Sequence, residues 1–208
     1  NLSISRKYVT RFSDILIIGG SYESECLSWT TDLMLELAKK ERLLDICMPW
    51  IIRYFSKSKA SNIDLNRYKL ERFLVENDSD KIDDMIIEAI YDDDCHVREH
   101  MADIIGEKSL TRGYKVLIKQ LKIEENYFTI GSLVESIGRI SPKEEGLSAI
   151  EEWIDLHVND IINENQAFIF KHLYHGIARL DNDTNSHIKE FTNKYGKYMQ
   201  ENKVGPIN

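Results

Sequence analysis

Apolar residues recur three and four positions apart along nearly the whole chain, as in helices that bury one face. The recurrence predicts helices over roughly 6–18, 23–40, 43–56, 64–77, 80–91, 95–107, 112–123, 127–140, 144–162, 165–180 and 184–201. Several predicted starts carry a capping residue: Asp64, Thr111, and Ser141 followed by Pro142 in the first turn. Pro49 interrupts the apolar stretch ICMPWIIRYF, so a helix is expected to begin or kink there. Gly19 and Gly20 read as a helix-ending turn. Strict alternation of apolar and polar residues is not found; Asp14 to Ile18 is the best strand-like stretch and is too short to decide by pattern. The expected fold class is all-α.

The pattern also repeats. VREHMADIIG (97–106) aligns with TIGSLVESIG (129–138) at an offset of 32, pairing Met101 with Leu133, Ala102 with Val134, Ile105 with Ile137 and Gly106 with Gly138. The preceding segments, GYKVLIKQL (113–121) and GLSAIEEWI (146–154), align at an offset of 33. A third copy, IFKHLYHGIARL (169–180), follows at an offset of 40, with Leu173 on Leu133 and Ile177 on Ile137. Periods of this size belong to helix pairs that bury their faces only by stacking on neighbours.

Asp92, Asp94, Val97, Arg98, Met101, Ala102, Ile104, Ile105 and Gly106 together resemble the second helix of a HEAT-type repeat. The resemblance is best over 80–108, fainter over 112–140 and 144–180, and not visible in 1–60. It implies a short α-α superhelix, a right-handed solenoid of roughly five or six helix pairs. In it 1–77 is an irregular helical cap, 78–182 holds the acidic repeats, and 183–208 is a capping helix and tail, all in one continuous domain. Arg98 would be the ladder arginine that bonds to aspartates of its own or a neighbouring repeat; Ile130 and Phe170 stand at that place in the later copies. The aspartates would cap the helix N-terminus, Ala102 would allow close approach, and Gly106 would let the chain leave the helix, with Gly138 its counterpart in the repeat.

Charge narrows the class of partner. The net charge is −8; residues 1–77 hold 12 Lys and Arg against 10 Asp and Glu, whereas 78–208 hold 15 against 25. The acidic portion repels phosphate backbones, so nucleic acid is not the expected ligand. It attracts basic proteins and speeds their encounter. The apolar run Ile15 to Ile18 is far too short to span a bilayer, and no apolar region follows Arg6, Lys7 and Arg11 as in a secretory signal. Three widely spaced cysteines, Cys26, Cys47 and Cys95, do not make a disulfide framework, and the expected location is cytoplasmic.

One motif competes with the repeat. HVREH (96–100) spells H-x-x-E-H, in which His96 and His100 share a helix face and could share zinc, with Glu99 as general base. Such a peptidase also needs a third ligand from another helix, for which Glu135 is available, and a strand to hold its substrate. The repeat accounts for every letter but the histidines, and the stripe of Val97, Met101, Ile104 and Ile105 puts them on the flank of the buried face. The expectation is therefore no metal, no cofactor and no catalytic residue. Cys95 beside Asp94 and His96 is the one thiol–base pairing; Cys26 and Cys47 read as inert thiols, and His157, His172, His175 and His187 are scattered. Trp29, Trp50, Tyr54, Phe55, Trp153, Phe168, Phe170 and Tyr174 read as packing between helices, with one or two left as exposed anchors.

Off their core stripes the second helices are expected to display Glu99, Asp103 and Glu107, then Glu135 and Arg139, then Lys171, His172, His175 and Arg179. This is the expected partner-binding face: a concave, largely acidic surface grading into a basic, histidine-bearing end. The expected function is a non-enzymatic protein-binding scaffold. With an Ile-, Lys- and Asn-heavy composition suggesting an AT-rich bacterial genome, it is similar to HEAT-like immunity proteins, inhibitors that neutralise a basic toxin such as a nuclease. The alternatives are a DNA-binding helical repeat of the alkylation-repair type, and a repeat-containing enzyme such as a lyase or one with zinc at His96 and His100.

Overall fold

The computed structural model describes residues 24–56, 65–181 and 185–203. The predicted helix 6–18, the strand-like stretch 14–18, the Gly19–Gly20 turn, the Asp64 cap and the Cys26 side chain lie outside the described residues. Within them the chain is all-α: ten α-helices and two short 3-10 turns, with no strand among the described residues. The helices are α1 (Ser24–Ala38), α2 (Glu41–Tyr54), α3 (Leu65–Glu76), α4 (Asp80–Glu88), α5 (Cys95–Glu107), α6 (Tyr114–Leu121), α7 (Tyr127–Ile140), α8 (Lys143–Asn163), α9 (Ile169–Leu180) and α10 (Ser186–Glu201). No helix among the described residues is long and apolar enough to cross a membrane.

The chain forms two compact units, one up to Val97 and one from Arg98. In the first, α1 packs on α2 and α3, and α2 lies against α4. Met34, Cys47, Met48, Ile51, Phe55, Leu74, Ile86 and Ile90 are its sealed interior. Helix α2 runs unbroken through Pro49, so the expected start at that residue does not occur; Pro49 is exposed on the surface of the helix. In the second unit α6 packs on α7, and α8 on α9. Each also meets the helix two places on: α6 touches α8, and α7 touches α9 most extensively of all. Helix α10 closes against α9.

The positions aligned in the sequence are largely interior. Met101, Ala102, Ile105, Leu133, Val134, Ile137, Leu173 and Ile177 are all buried, as are Leu117 on Ile150 and Leu121 on Ile154. Most aligned positions are buried, as a helix with a 3.6-residue period requires, although Val116, aligned with the buried Ala149, is only half-buried. Some helix starts are capped by side chains, but the expected caps Thr111 and Ser141 are not among them: Gly113 precedes α6 and Pro142 precedes α8, neither with a side-chain cap. Asp94 Oδ1 accepts the His96 N–H at 2.8 Å, and Asn126 Oδ1 accepts those of Phe128 and Thr129 at 3.0 and 3.1 Å. Asp181, fully buried, accepts the His187 N–H at 2.8 Å in the first turn of α10.

One expectation about residues 92–106 is corrected. Gly106 does not release the chain. It sits inside α5 with an ordinary helical backbone, and the exit is made by Ser109 at φ 57°, with the Leu110 N–H reaching back to the Ile105 carbonyl at 3.0 Å. What requires a glycine at 106 is contact: a Cβ there would meet the Ser136 hydroxyl, with Ser136 Cβ at 2.9 Å. Arg98 also grips a glutamate in the turn after α6, with Nε and Nη2 each 2.7 Å from one of the two oxygens of Glu124. The Glu124 side chain is 1% exposed. Burial pushes its carboxyl up, but the bonds from Arg98, Gln120 and the Asn126 N–H outweigh burial and hold it below its ordinary value.

Candidate functional site

Helices α7 and α9 lie closer than side chains normally permit, because glycines face glycines. A Cβ at Gly138 would stand 2.6 Å from the Gly176 carbonyl oxygen, and one at Gly176 would stand 2.8 Å from the Val134 carbonyl oxygen. A Cβ at Gly131 would press on the His172 ring at 3.0 Å. With the two backbones this close, polar residues on their shared outer edge are forced together.

Glu135 of α7 is the centre of that edge. His172 Nδ1 lies 2.7 Å from its Oε1, Arg179 Nη1 donates to its Oε2 at 3.1 Å and to its main-chain carbonyl at 3.2 Å, and His175 Nδ1 is 3.6 Å away. Arg139, one turn along α7, approaches Oε2 at 3.9 Å. The His172 bond, then Arg179, outweigh burial and bring the Glu135 carboxyl down to about 2.

Five of the sequence-predicted site residues, Glu135, Arg139, His172, His175 and Arg179, are therefore brought together, around the single carboxylate of Glu135. The three from α5 do not join it in the same way. Glu99 is buried at 7% exposure and is not displayed, Asp103 is half-buried, and Glu107 alone is exposed. Of the predicted face, the α5 acids thus contribute little exposed charge, and the Glu135 carboxylate is spent on its own cations.

The chemistry read from HVREH can be placed too. His100 is buried at 1% exposure and His96 is half-buried, and no group of three or more His, Cys, Asp or Glu that could hold a metal occurs among the described residues. Cys47 is fully buried, and burial pushes its thiol up to about 11. Trp153, Tyr54, Phe55 and Phe170 are buried packing, whereas Trp29 stands 79% exposed.

Sequence reading missed one surface feature. Phe128, in the first turn of α7, is 61% exposed and stacks on Phe168 with ring centroids 5.0 Å apart; Phe168 in turn meets the His172 ring edge-on at 6.2 Å. The helical period alone marked position 128 as off the core stripe, but nothing local marked its neighbour across the stack.

The network gives a signed pH dependence. Because the Glu135 carboxyl titrates lower in the folded chain than in the unfolded one, its contribution is complete above its ordinary value of 4.5 and is lost as pH falls toward about 2. The difference in unfolding free energy between the parent chain and Glu135→Gln is expected to be greatest near neutrality, at most about 3 kcal/mol, and to shrink across that window. Urea titrations of both proteins between neutral pH and pH 2.5 check it, a pH-independent difference being the contrary result.

No protein-family model matches this chain, and no curated protein or solved structure does. Function has to be argued from the residues themselves.

Proposed function

We propose that the chain is a non-enzymatic scaffold of stacked helix pairs, HEAT-like over 78–182, that binds a basic protein partner. Its most concrete form is an immunity-type inhibitor that covers the cationic cleft of a toxin such as a nuclease. The observation that carries the scaffold reading is the two-apart packing of α6 on α8 and α7 on α9, with the aligned repeat positions buried in register. Such packing leaves a row of outer-edge side chains held by backbone contacts, a preorganised surface that loses little freedom when a partner docks.

A protein partner is supported by the Phe128–Phe168 pair. One exposed aromatic is ordinary, but Phe128 in the first turn of α7, stacked on the half-buried Phe168 just before α9 and beside a charged network, has the composition of an interface anchor. A basic partner is supported by the net charge of −8. The nucleic-acid alternative has less behind it, since Arg179 donates to Glu135 rather than being presented to phosphate, and the chain's net charge of −8 repels a phosphate backbone. The test is capture of the native partner, followed by kinetics with the purified pair. Phe128→Ala is expected to weaken the complex by about tenfold while leaving the unfolding midpoint unchanged. Association is expected to slow as ionic strength rises and the screening length falls from about 30 to about 10 Å. A partner whose association rate ignores salt sinks the inhibitor reading.

A further inference from the structure

Large apolar side chains scattered singly over a surface need no explanation, but several on adjoining helices do. In the first unit α1 and α3 pack on each other, and each turns a pair of such residues outward. They are Trp29 and Leu33, one turn apart on α1, and Leu65 and Tyr68, one turn apart on α3, between 39 and 79% exposed. The core of the unit does not use them. It is filled from other faces of the same helices, by Met34 and Ala38 of α1 and by Leu70 and Leu74 of α3. Water as the sole neighbour would favour polar residues at all four positions.

The two pairs are held in fixed relation. Lys69, next to Tyr68, donates across the helices to Ser28 Oγ at 3.1 Å and to Asp32 Oδ1 at 2.7 Å, the neighbours of Trp29 and Leu33. The Arg72 guanidinium lies 5.9 Å from the centroid of the Tyr68 ring and bonds Glu76, which steadies the ring from its own helix. Glu36 bonds Lys39. These charges are closed on one another within the chain, so what the face offers an outside molecule is apolar area. The four side chains present roughly 500 Å², at the upper end of what a lone soluble chain leaves bare. Two such faces in contact would cover about 1,000 Å², the least that a specific interface needs, before any rim is counted.

We infer that the outer face of α1 and α3 is the contact between two copies of this chain, paired about a two-fold axis so that the same surface serves both. Charge favours this occupant over the others. A basic protein is drawn to the acidic portion, 78–208, and gains little from ion pairs already closed on this face. Nucleic acid is repelled by the net charge of −8. A second copy carries the same charge, so it approaches best where the surface is apolar and its charges are balanced locally, as Asp32 is by Lys69 and Glu76 by Arg72. Repulsion between the rest of the two copies remains, and salt screens it. Pairing is therefore expected to tighten as salt rises, the opposite sign to that of the proposed basic partner. The inference rests neither on that partner nor on the Phe128 anchor.

The full chain is followed by sedimentation equilibrium between about 1 and 100 μM, at low and at high salt. A reversible monomer–dimer equilibrium is expected, with a dissociation constant inside that range that falls as salt is added. Trp29→Ala and Leu65→Ala are each expected to weaken the dimer about tenfold, and Phe128→Ala to leave it unchanged. All three side chains are exposed, and unfolding midpoints equal to the parent's, taken at a dilution where the parent is monomeric, confirm that the variants are folded. A monomer at every concentration would leave the face to a different occupant and overturn the pairing. So would a dimer that survives both the Trp29 and the Leu65 substitution, one that loosens with salt, or growth beyond two copies, which means unlike surfaces in contact. If Phe128→Ala abolishes the dimer and Trp29→Ala does not, the copies meet at the second unit and the inference falls. Capture of a basic partner is read separately: a chain that dimerises through Trp29 and binds no basic protein keeps the pairing and loses the inhibitor reading, and a monomer that binds one does the reverse.

Discussion

Arg98→Met is expected to lower the stability of the second unit by roughly 3–5 kcal/mol, the usual penalty for stranding a buried charge. The substitution keeps the aliphatic bulk of the arginine and removes only its guanidinium. Glu124, its two-pronged partner, is then left 1% exposed with no cation against its oxygens at 2.7 Å. The Gln120 side chain and the Asn126 N–H still donate to it at 3.0 and 3.1 Å, but neutral donors do not offset a full charge in a dry site. The double variant Arg98→Met, Glu124→Gln should regain about half of the loss, because an amide oxygen keeps those bonds without the charge. Urea unfolding at neutral pH measures both. A single-variant loss below about 1 kcal/mol would mean that the pair is effectively solvated.

Gly138→Ala should cost about 3 kcal/mol, although alanine is the better helix former by about 1 kcal/mol. The added methyl would stand 2.6 Å from the Gly176 carbonyl oxygen and 2.8 Å from its Cα, and neither can yield without moving α9. The Glu135 network spans the same two helices, so its bonds should lengthen as the helices part. The expected loss in unfolding midpoint is about 6–12 °C. Gly196→Ala is the control: in α10 the new methyl meets only Thr192 Cγ2 at 3.4 Å, an ordinary contact. There the propensity gain is unopposed, and the unfolding free energy should rise by about 0.5–1 kcal/mol. If both substitutions stabilise, the close approach of α7 and α9 is wrong.

The one-dimensional pattern determined a good deal by itself. It gave the all-α class, every described helix to within a few residues, and the buried identity of Met101, Ile105, Leu133, Ile137, Leu173 and Ile177, because a helix period is local and every turn repeats it. It also placed Asp94 at a helix start, where a carboxylate has backbone N–H groups in reach whatever the rest of the chain does. The candidate site was legible only as a set of off-stripe positions. That Glu135 would be consumed by His172 and Arg179, 37 and 44 residues away, depends on the register in which α7 lies on α9. That register is decided by glycine backbones meeting at Gly138 and Gly176, a contact no single helix encodes. The same holds for Arg98 with Glu124, and for Lys69 with Asp32. Sequence set which side of each helix faces in, since burial follows periodicity. Tertiary structure decided which charges pair with one another, since that depends on distances between helices and not along them.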